Sequence, residues 1–278
     1  MINLQHTKTN SYLPLQPEFE ILTDYYLEHK ERNKQNQSTI LFYQFKMKKD
    51  MFNVITVIPD GCIDILFCCN EKAPFANVCG SVLQTKSINL HADNEYFGVR
   101  FMPNQETHKM NYSMKEIIDK EVPLLDMVSL DSQIVERLIS ERNFLGKINL
   151  FNETIRKFIF NVDSSSKAIE YALHNIYMNR GNITMIQLAK EMGYSTRYLR
   201  KQFEEHVGIS PKLFSQIVRF QSSISMLLKI NHCTLKDVIM ENGYYDQAHI
   251  INDFKNFGYM TPNKFTEKFS AGYTYSSL

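Results

Sequence analysis

Apolar residues recur every three to four positions over roughly the last two-fifths of the chain, and this periodicity predicts a series of short amphipathic helices. Thr234 and Asp237 have the spacing of a capping box, which indicates a helix start, and Gly243 suits the left-handed position that ends a helix. Asp246 can cap a second helix, predicted over Gln247–Phe257. A short helix, a glycine-containing turn and a second helix form the helix-turn-helix pattern.

The same pattern occurs earlier, within Thr184–Phe214. Thr184 and Gln187 form the equivalent capping box, Gly193 lies at the turn and Ser195 caps the second helix. Because each copy of an internal repeat is one supersecondary unit, the sequence predicts two helix-turn-helix units, at 184–207 and 234–257. One long helix, predicted over Pro211–Ile230, joins them. A single helical hairpin is common in α-helical proteins, and it is the repetition that favours DNA binding.

The N-terminal half instead alternates apolar and polar residues over short runs, which predicts strands. The predicted strands are Thr39–Phe45, Asn53–Ile58, Ile63–Phe67, Val78–Val82, Ser87–Leu90 and Tyr96–Met102, whereas Glu18–Glu31 fits either a strand or a helix. Many short strands separated by turns are typical of a small barrel or sandwich. The alternation also predicts that the adjacent Cys68 and Cys69 point to opposite faces.

From Ser113 the apolar period becomes helical. The predicted helices start at the Ser113/Glu116 capping box and run to Pro123, start again after Asp131, and then cover Phe144–Phe160. They carry more apolar surface than a lone hairpin needs, so they either pack under the barrel or build a dimer interface. Asn161–Lys167 is polar and serine-rich, which is typical of a linker.

The charge of the chain is nearly balanced, with 31 basic and 30 acidic side chains and a net charge of +1. Residues 165–278 contain 13 basic and 9 acidic side chains, which leaves 18 and 21 for the rest of the chain. The modest basic excess therefore lies where DNA binding is expected. The 5 cysteines, the lack of a long apolar run and the polar N-terminus predict reduced thiols in a cytoplasmic protein without a membrane span.

The second repeat reads G-Y-x-D-Q-x-H, then F-K, then G-x-x-T-P-x-x-F, between Gly243 and Phe265. This is close to the C-terminal signature of the AraC/XylS family of bacterial transcription regulators, and the chain resembles that family over Ser164–Phe269. The resemblance implies that the second helix of each unit enters the major groove on one face of promoter DNA. It also implies contact with RNA polymerase and often a homodimer. Asn252 departs from the pattern, since the family usually has Arg there.

The predicted DNA-binding residues are Thr196, Arg197, Arg200 and Lys201 in the first unit, and Gln247, His249, Asn252 and Lys255 in the second. They lie on the helix faces opposite the apolar stripes, with Tyr198 expected beside the first stripe. Arg suits bidentate recognition of guanine, and Gln and Asn suit adenine. Lys255 and Lys264 are better placed for phosphate, and His249 can equally be a structural cap.

PDGCIDILF, which begins at Pro59, and GVRFMP, which begins at Gly98, resemble the cupin-like sensory domain of one AraC subgroup, roughly over Tyr12–Asn111. The resemblance implies a barrel whose mouth holds a small-molecule effector. Asp60, Asp64 and Arg100 are the predicted ligand-binding residues. In the alternative interpretation Asp60 caps the turn and Asp64 pairs with Arg100 across the barrel. His91 and His108 stand alone, without the His-x-His pair of a metal-binding cupin, so we expect no metal, no cofactor and no catalysis.

The sequence thus predicts an α+β protein with a cupin-like β-barrel, linker and dimerisation helices, and an all-α C-terminal domain with two helix-turn-helix motifs. The predicted limits are 1–111, 112–163 and 164–278. The leading functional hypothesis is a DNA-binding transcriptional regulator that responds to a small molecule. The alternatives are a cupin-type enzyme with an accessory helical domain, which lacks a cluster of metal ligands, and a ligand-independent regulator controlled by protein–protein contacts.

Overall fold

The computed structural model describes residues 12–32, 39–48, 54–70, 72–92, 94–103, 110–159, 167–229 and 232–270. The predicted linker lies outside this set except for Lys167, and so does His108. Within the described residues, strands predominate up to residue 123 and helices follow from residue 124. The predicted α+β class, with a β-rich N-terminal half and an all-α C-terminal part, is therefore confirmed.

A short helix, α1 (Pro17–Leu22), leads directly into the first strand, so the ambiguous segment from residue 18 contains both elements. The strands are β1 (Thr23–Arg32), β2 (Thr39–Met47), β3 (Val54–Val57), β4 (Ile63–Cys68), β5 (Phe75–Cys79), β6 (Lys86–Asn89), β7 (Glu95–Phe101) and β8 (Glu121–Pro123). The predicted strand Val78–Val82 is displaced, because the chain leaves the sheet at Gly80. A Cβ there would come within 1.8 Å of the Ile117 carbonyl oxygen, so only glycine fits.

Six strands form one antiparallel sheet in the order β1-β2-β7-β4-β5-β8, and β3 pairs with β6 in a second sheet. In the described part of the chain the large sheet ends at β1 and β8, so the two sheets face each other as an open sandwich instead of a closed barrel. Cys68 is buried between the sheets and Cys69 packs on the opposite side, which confirms the predicted alternation.

Helices cover the outer face of the large sheet. They are α2 (Met114–Ile117), α3 (Leu124–Met127), α4 (Ser132–Ser140), α5 (Phe144–Leu150) and α6 (Arg156–Ile159), with a π-helical turn at Phe151–Ile155. The helix predicted from the Ser113/Glu116 capping box begins there, but it ends at Ile117 and does not reach Pro123. The chain turns at Asp119, which has a φ of 59°, and Val122 then pairs with Val78 in the sheet. Phe151 and Ile155 pack with Phe42. Leu145, which the helical apolar period over 144–160 predicts to be buried with them, is 59% exposed.

The C-terminal part contains α7 (Lys167–Met178), α8 (Met185–Met192), α9 (Thr196–Val207), α10 (Pro211–Lys229), α11 (Leu235–Glu241), α12 (Gln247–Gly258) and α13 (Pro262–Phe269). Both predicted capping boxes are formed, at Thr184 and Thr234. Gly193 and Gly243 have φ values of 69° and 68°, the left-handed conformation that glycine adopts without strain. The two predicted helix-turn-helix units are therefore present. Ile186, which the helical apolar period of the first unit predicts to be buried, is 72% exposed.

The apolar core of the C-terminal helices extends into the N-terminal half. Phe203, Phe214 and Phe254 are fully buried at its centre, and the same cluster includes Leu15 and Ile58 from the other half. The two halves thus share part of one core. None of the helices in the described residues combines the length and the apolar character that crossing a lipid bilayer requires.

Candidate nucleic-acid interface and effector pocket

In each unit the second helix, which is predicted to enter the major groove, is the reading helix. The first reading helix, α9, presents its polar face to solvent. Thr196, Arg197, Arg200 and Lys201 are exposed, whereas Leu199 is buried. Arg200 Nε donates to Glu204 Oε1 at 2.7 Å, within the same helix. Exposed pairs of this kind contribute only about 0.3–0.5 kcal/mol, so a DNA phosphate or a guanine edge can displace the carboxylate at small cost.

A cationic groove of about 460 Å³ lies beside α9. Its lining residues are Met185, Thr196, Arg197, Arg200, Ser210, Pro211 and Lys212. Lys212 lies in the first turn of α10 and was not predicted, because it becomes a neighbour of α9 only through the fold. Three cationic side chains around one groove suit the phosphate backbone of DNA. Tyr198, predicted beside the buried stripe, is 47% exposed and packs against Tyr194.

The second predicted reading helix, α12, exposes three of its four predicted residues: Gln247, Asn252 and Lys255. His249 is partly buried, and its Nε2 lies 3.1 Å from Arg219 Nη2. The His249 ring also packs edge-on against Tyr244. The side chain therefore belongs to the support beneath the helix, as the structural alternative for this residue expects.

A buried ion pair fixes α12 to α10. Arg219 donates from Nη2 and Nε to Asp253 Oδ2, at 2.9 and 3.1 Å, and its guanidinium lies 4.7 Å from the centre of the Tyr244 ring. Both charged side chains are largely buried. This pair was not predicted from the sequence, since the two residues belong to different helices and neither interrupts an apolar stripe in a recognisable way.

The predicted ligand-binding residues lie together in a cavity of about 350 Å³ between the two sheets. Arg100 Nε donates to Asp64 Oδ1 at 3.0 Å, and Arg100 Nη1 lies 3.4 Å from Asp60 Oδ2. Tyr43 also donates to Asp64 Oδ1, at 2.9 Å. Asp60 Oδ1 accepts the backbone N–H of Cys62, so the alternative roles, turn capping and a cross-sheet pair, are also present.

Burial and charge pairing have opposite effects on the pKa values of this cluster. Burial raises the pKa of Asp64, and the guanidinium of Arg100 acts against that shift without cancelling it. Burial alone would lower the pKa of Arg100, but the carboxylates of Asp64 and Asp60 outweigh it, and the net shift is upward. Arg100 therefore stays charged inside the protein, where it can donate to a polar ligand.

The rest of the cavity has a mixed polar and apolar lining, which includes one buried polar atom without a partner among the described residues. Phe19, Leu66 and Ile88 are among its apolar lining residues. Ser81 also lines it, and its buried Oγ has no hydrogen-bond partner among the described residues. Buried polar groups are normally hydrogen-bonded, so this oxygen is available to a ligand or water. No group of three or more His, Cys, Asp or Glu in the described ranges is arranged to hold a metal ion.

Comparison with known families decides what the helical repeat is. The family described as "Helix-turn-helix domain" matches residues 188–268, from α8 to α13. The chain contains an AraC-type helix-turn-helix domain. The family "Domain of unknown function (DUF6597)" matches residues 40–123, which include the cavity. The resemblance inferred from the repeat is confirmed.

The curated relatives that this chain matches are themselves uncharacterised. One HTH-type transcriptional regulator of Haemophilus influenzae is 32% identical over 84 residues, which is 30% of this chain and 28% of that protein. Another, from Staphylococcus aureus strain N315, is 19% identical over 160 residues, which is 57% of this chain and 20% of that protein. The chain thus spans less than a third of these relatives. A solved structure of ToxT from Vibrio cholerae is 12% identical, with 86% of this chain and 100% of that chain covered and a TM-score of 0.45.

Proposed function

We propose that the protein is a sequence-specific DNA-binding transcriptional regulator whose N-terminal half binds a small-molecule effector. The observation that carries the DNA-binding part is the pair of helix-turn-helix units, which the AraC-type match at residues 188–268 covers from within α8 onwards. In each unit the second helix exposes polar side chains able to reach base edges in the major groove. Promoter DNA is the partner that this arrangement fits.

The two reading helices differ in charge, which supports different roles. Around α9 the exposed cations Arg197, Arg200 and Lys201, together with Lys212, suit phosphate contacts and guanine. On α12 the exposed amides Gln247 and Asn252 suit adenine. The first unit then supplies more of the affinity, and the second unit contributes mainly to the choice of sequence.

The test is DNA binding by the full chain, measured with duplexes selected from a random pool and titrated at several salt concentrations. We expect the Arg200→Ala/Lys201→Ala variant to reduce the slope of log affinity against log salt by about 1.8, since each lost phosphate contact removes about 0.9. Arg197→Ala should instead relax the preference at one guanine position by about 1–3 kcal/mol. Lys72→Ala, an exposed lysine of the N-terminal half, should change neither.

A full-length protein that binds no duplex at low salt would contradict DNA binding. Equal losses of DNA affinity in the double variant and in Lys72→Ala would contradict the assignment of the interface to α9.

Contact with RNA polymerase and a homodimer belong to the same proposal, through the family resemblance. Sedimentation with and without DNA measures the oligomeric state.

The effector part of the proposal is supported by the cavity between the sheets, whose mixed lining includes Arg100 and the unpartnered Ser81 oxygen. A compound that binds only the folded state must raise the melting temperature. We expect a screen of small polar compounds to give such a shift, and we expect Ser81→Leu to abolish it by filling the cavity. If the compound still raised the melting temperature of the Ser81→Leu variant, its binding site would lie outside this cavity.

A further inference from the structure

The Pro59–Gly61 turn contacts both the cavity and the DNA-binding part. On the cavity side, Asp60 Oδ2 lies 3.4 Å from Arg100 Nη1. On the other side, the Pro59 carbonyl accepts a hydrogen bond from Gln221 Nε2 at 2.7 Å. Gly61 has a φ of +74°, and a Cβ there would lie 2.5 Å from the Phe214 ring, so the turn sits directly on α10. This PDG motif therefore does more than close a turn.

The side chain of Gln221 forms its hydrogen bonds with the N-terminal half. Its side chain is only 2% exposed, although it lies in the middle of α10. Oε1 accepts the backbone N–H of Leu15 at 2.9 Å, while Nε2 donates to Pro59 and, at 3.4 Å, to the Leu15 carbonyl. A buried amide needs these partners, because leaving it unpaired costs more than the bonds contribute.

The N-terminal half also holds the C-terminal ends of both reading helices. The backbone N–H and the hydroxyl of Thr85 both donate to the Phe257 carbonyl, near the end of α12. The last four carbonyls of a helix have no partner inside it, so this contact satisfies one of them. Gly208, which follows α9, lies against the Met114 carbonyl, and a Cβ there would come within 2.8 Å of that oxygen.

We propose that the Pro59–Gly61 turn and Gln221 form the route by which the state of the cavity controls DNA affinity. The inference rests on the proposed function and adds its regulation. A polar ligand that binds Arg100 competes with Asp60, and movement of Asp60 carries Pro59 away from Gln221. In the docked state Gln221 contacts Pro59, and in the undocked state this contact is broken. A ligand shifts the equilibrium between the two states by its different affinities for them.

The docked arrangement favours DNA binding. Arg197, Arg200, Gln247 and Asn252 all remain exposed while the two halves are in contact, so docking does not block the reading faces. It fixes the ends of α9 and α12 on one support and thereby restricts their relative motion. Binding by pre-organised elements loses less conformational freedom, so undocking should weaken DNA binding.

The test compares four full-length variants with the wild type: Gln221→Ala, Asp60→Asn, the double variant, and Gln216→Ala as the matched control. Gln216 lies on the same helix, and its side chain makes no hydrogen bond in the described part of the chain. DNA affinity and hydrogen exchange in the last turn of α12 are measured for each. Loss of one buried hydrogen bond of about 1 kcal/mol corresponds to about a fivefold loss of affinity.

We expect Gln221→Ala and Asp60→Asn each to lower DNA affinity about fivefold and to speed exchange at the end of α12, with α8 unchanged as a check on folding. Because both substitutions act on one route, the double variant should lose no more DNA affinity than the single variant with the larger loss. Additive losses, or wild-type exchange at α12 in both single variants, would overturn the route. Faster exchange at α12 in a protein that binds no DNA would sustain the coupling and reject the proposed function.

Discussion

Replacement of Lys147 by alanine is expected to destabilise the N-terminal half by about 3 kcal/mol. The Lys147 side chain is completely buried on α5, and its Nζ donates to Glu95 Oε1 at 2.6 Å and to Gln44 Oε1 at 3.0 Å. Removing the ammonium leaves an uncompensated carboxylate and an unpaired amide oxygen, and it also opens a cavity. Glu95 is 31% exposed, so water can relieve part of the loss, which keeps the figure at the low end.

Urea unfolding followed by far-ultraviolet circular dichroism measures this effect, since the sequence contains no tryptophan for fluorescence. Lys147→Met combined with Glu95→Gln should recover most of the loss, because a buried ion pair can be replaced by uncharged groups of similar volume. Lys72→Ala removes an exposed lysine and should leave the unfolding free energy within about 0.5 kcal/mol. A Lys147→Ala protein as stable as that control would show that the buried pair contributes nothing.

Local signals in the sequence predicted the C-terminal helices well. Capping boxes at Thr184 and Thr234 and glycine at 193 and 243 act within one or two turns, so they are readable without the fold. The limits predicted for the strand at 78–82 and for the helix from Ser113 are wrong for the opposite reason. There the chain follows long-range packing at Gly80 and pairing of Val122 with β5, which no local pattern encodes.

The candidate sites divide in the same way. Asp60, Asp64 and Arg100 were predicted from a motif, and the structure brings them together. Lys147 and Gln221 were missed, since each is a polar residue on a helix whose partners lie on distant elements. A polar residue facing an apolar stripe is the only signal such residues leave. The domain limits at 111 and 163 stay predictions, and residues 160–166 around the second limit lie outside the described ranges.

Replacement of Arg219 by alanine should affect both stability and DNA binding. Asp253 would keep a buried carboxylate without its partner, since its side chain is only 4% exposed, and breaking a buried pair costs about 3–5 kcal/mol. Tyr244 and His249 would lose the guanidinium that they pack against. We therefore expect faster hydrogen exchange throughout α12, a lower melting temperature and weaker DNA binding than in Asn252→Ala, which removes only a surface amide.

A double variant separates support of α12 from direct contact with DNA. Arg219→Met/Asp253→Leu replaces the buried charges with apolar groups and should restore most of the melting temperature. If Arg219 acts by holding α12 in place, DNA affinity recovers together with stability. If affinity stays low in a stable double variant, Arg219 touches DNA itself. The guanidinium is largely buried and bonds to Asp253 beneath the helix, which favours the first result. The position of the second reading helix then depends on a charge pair that does not itself contact a base.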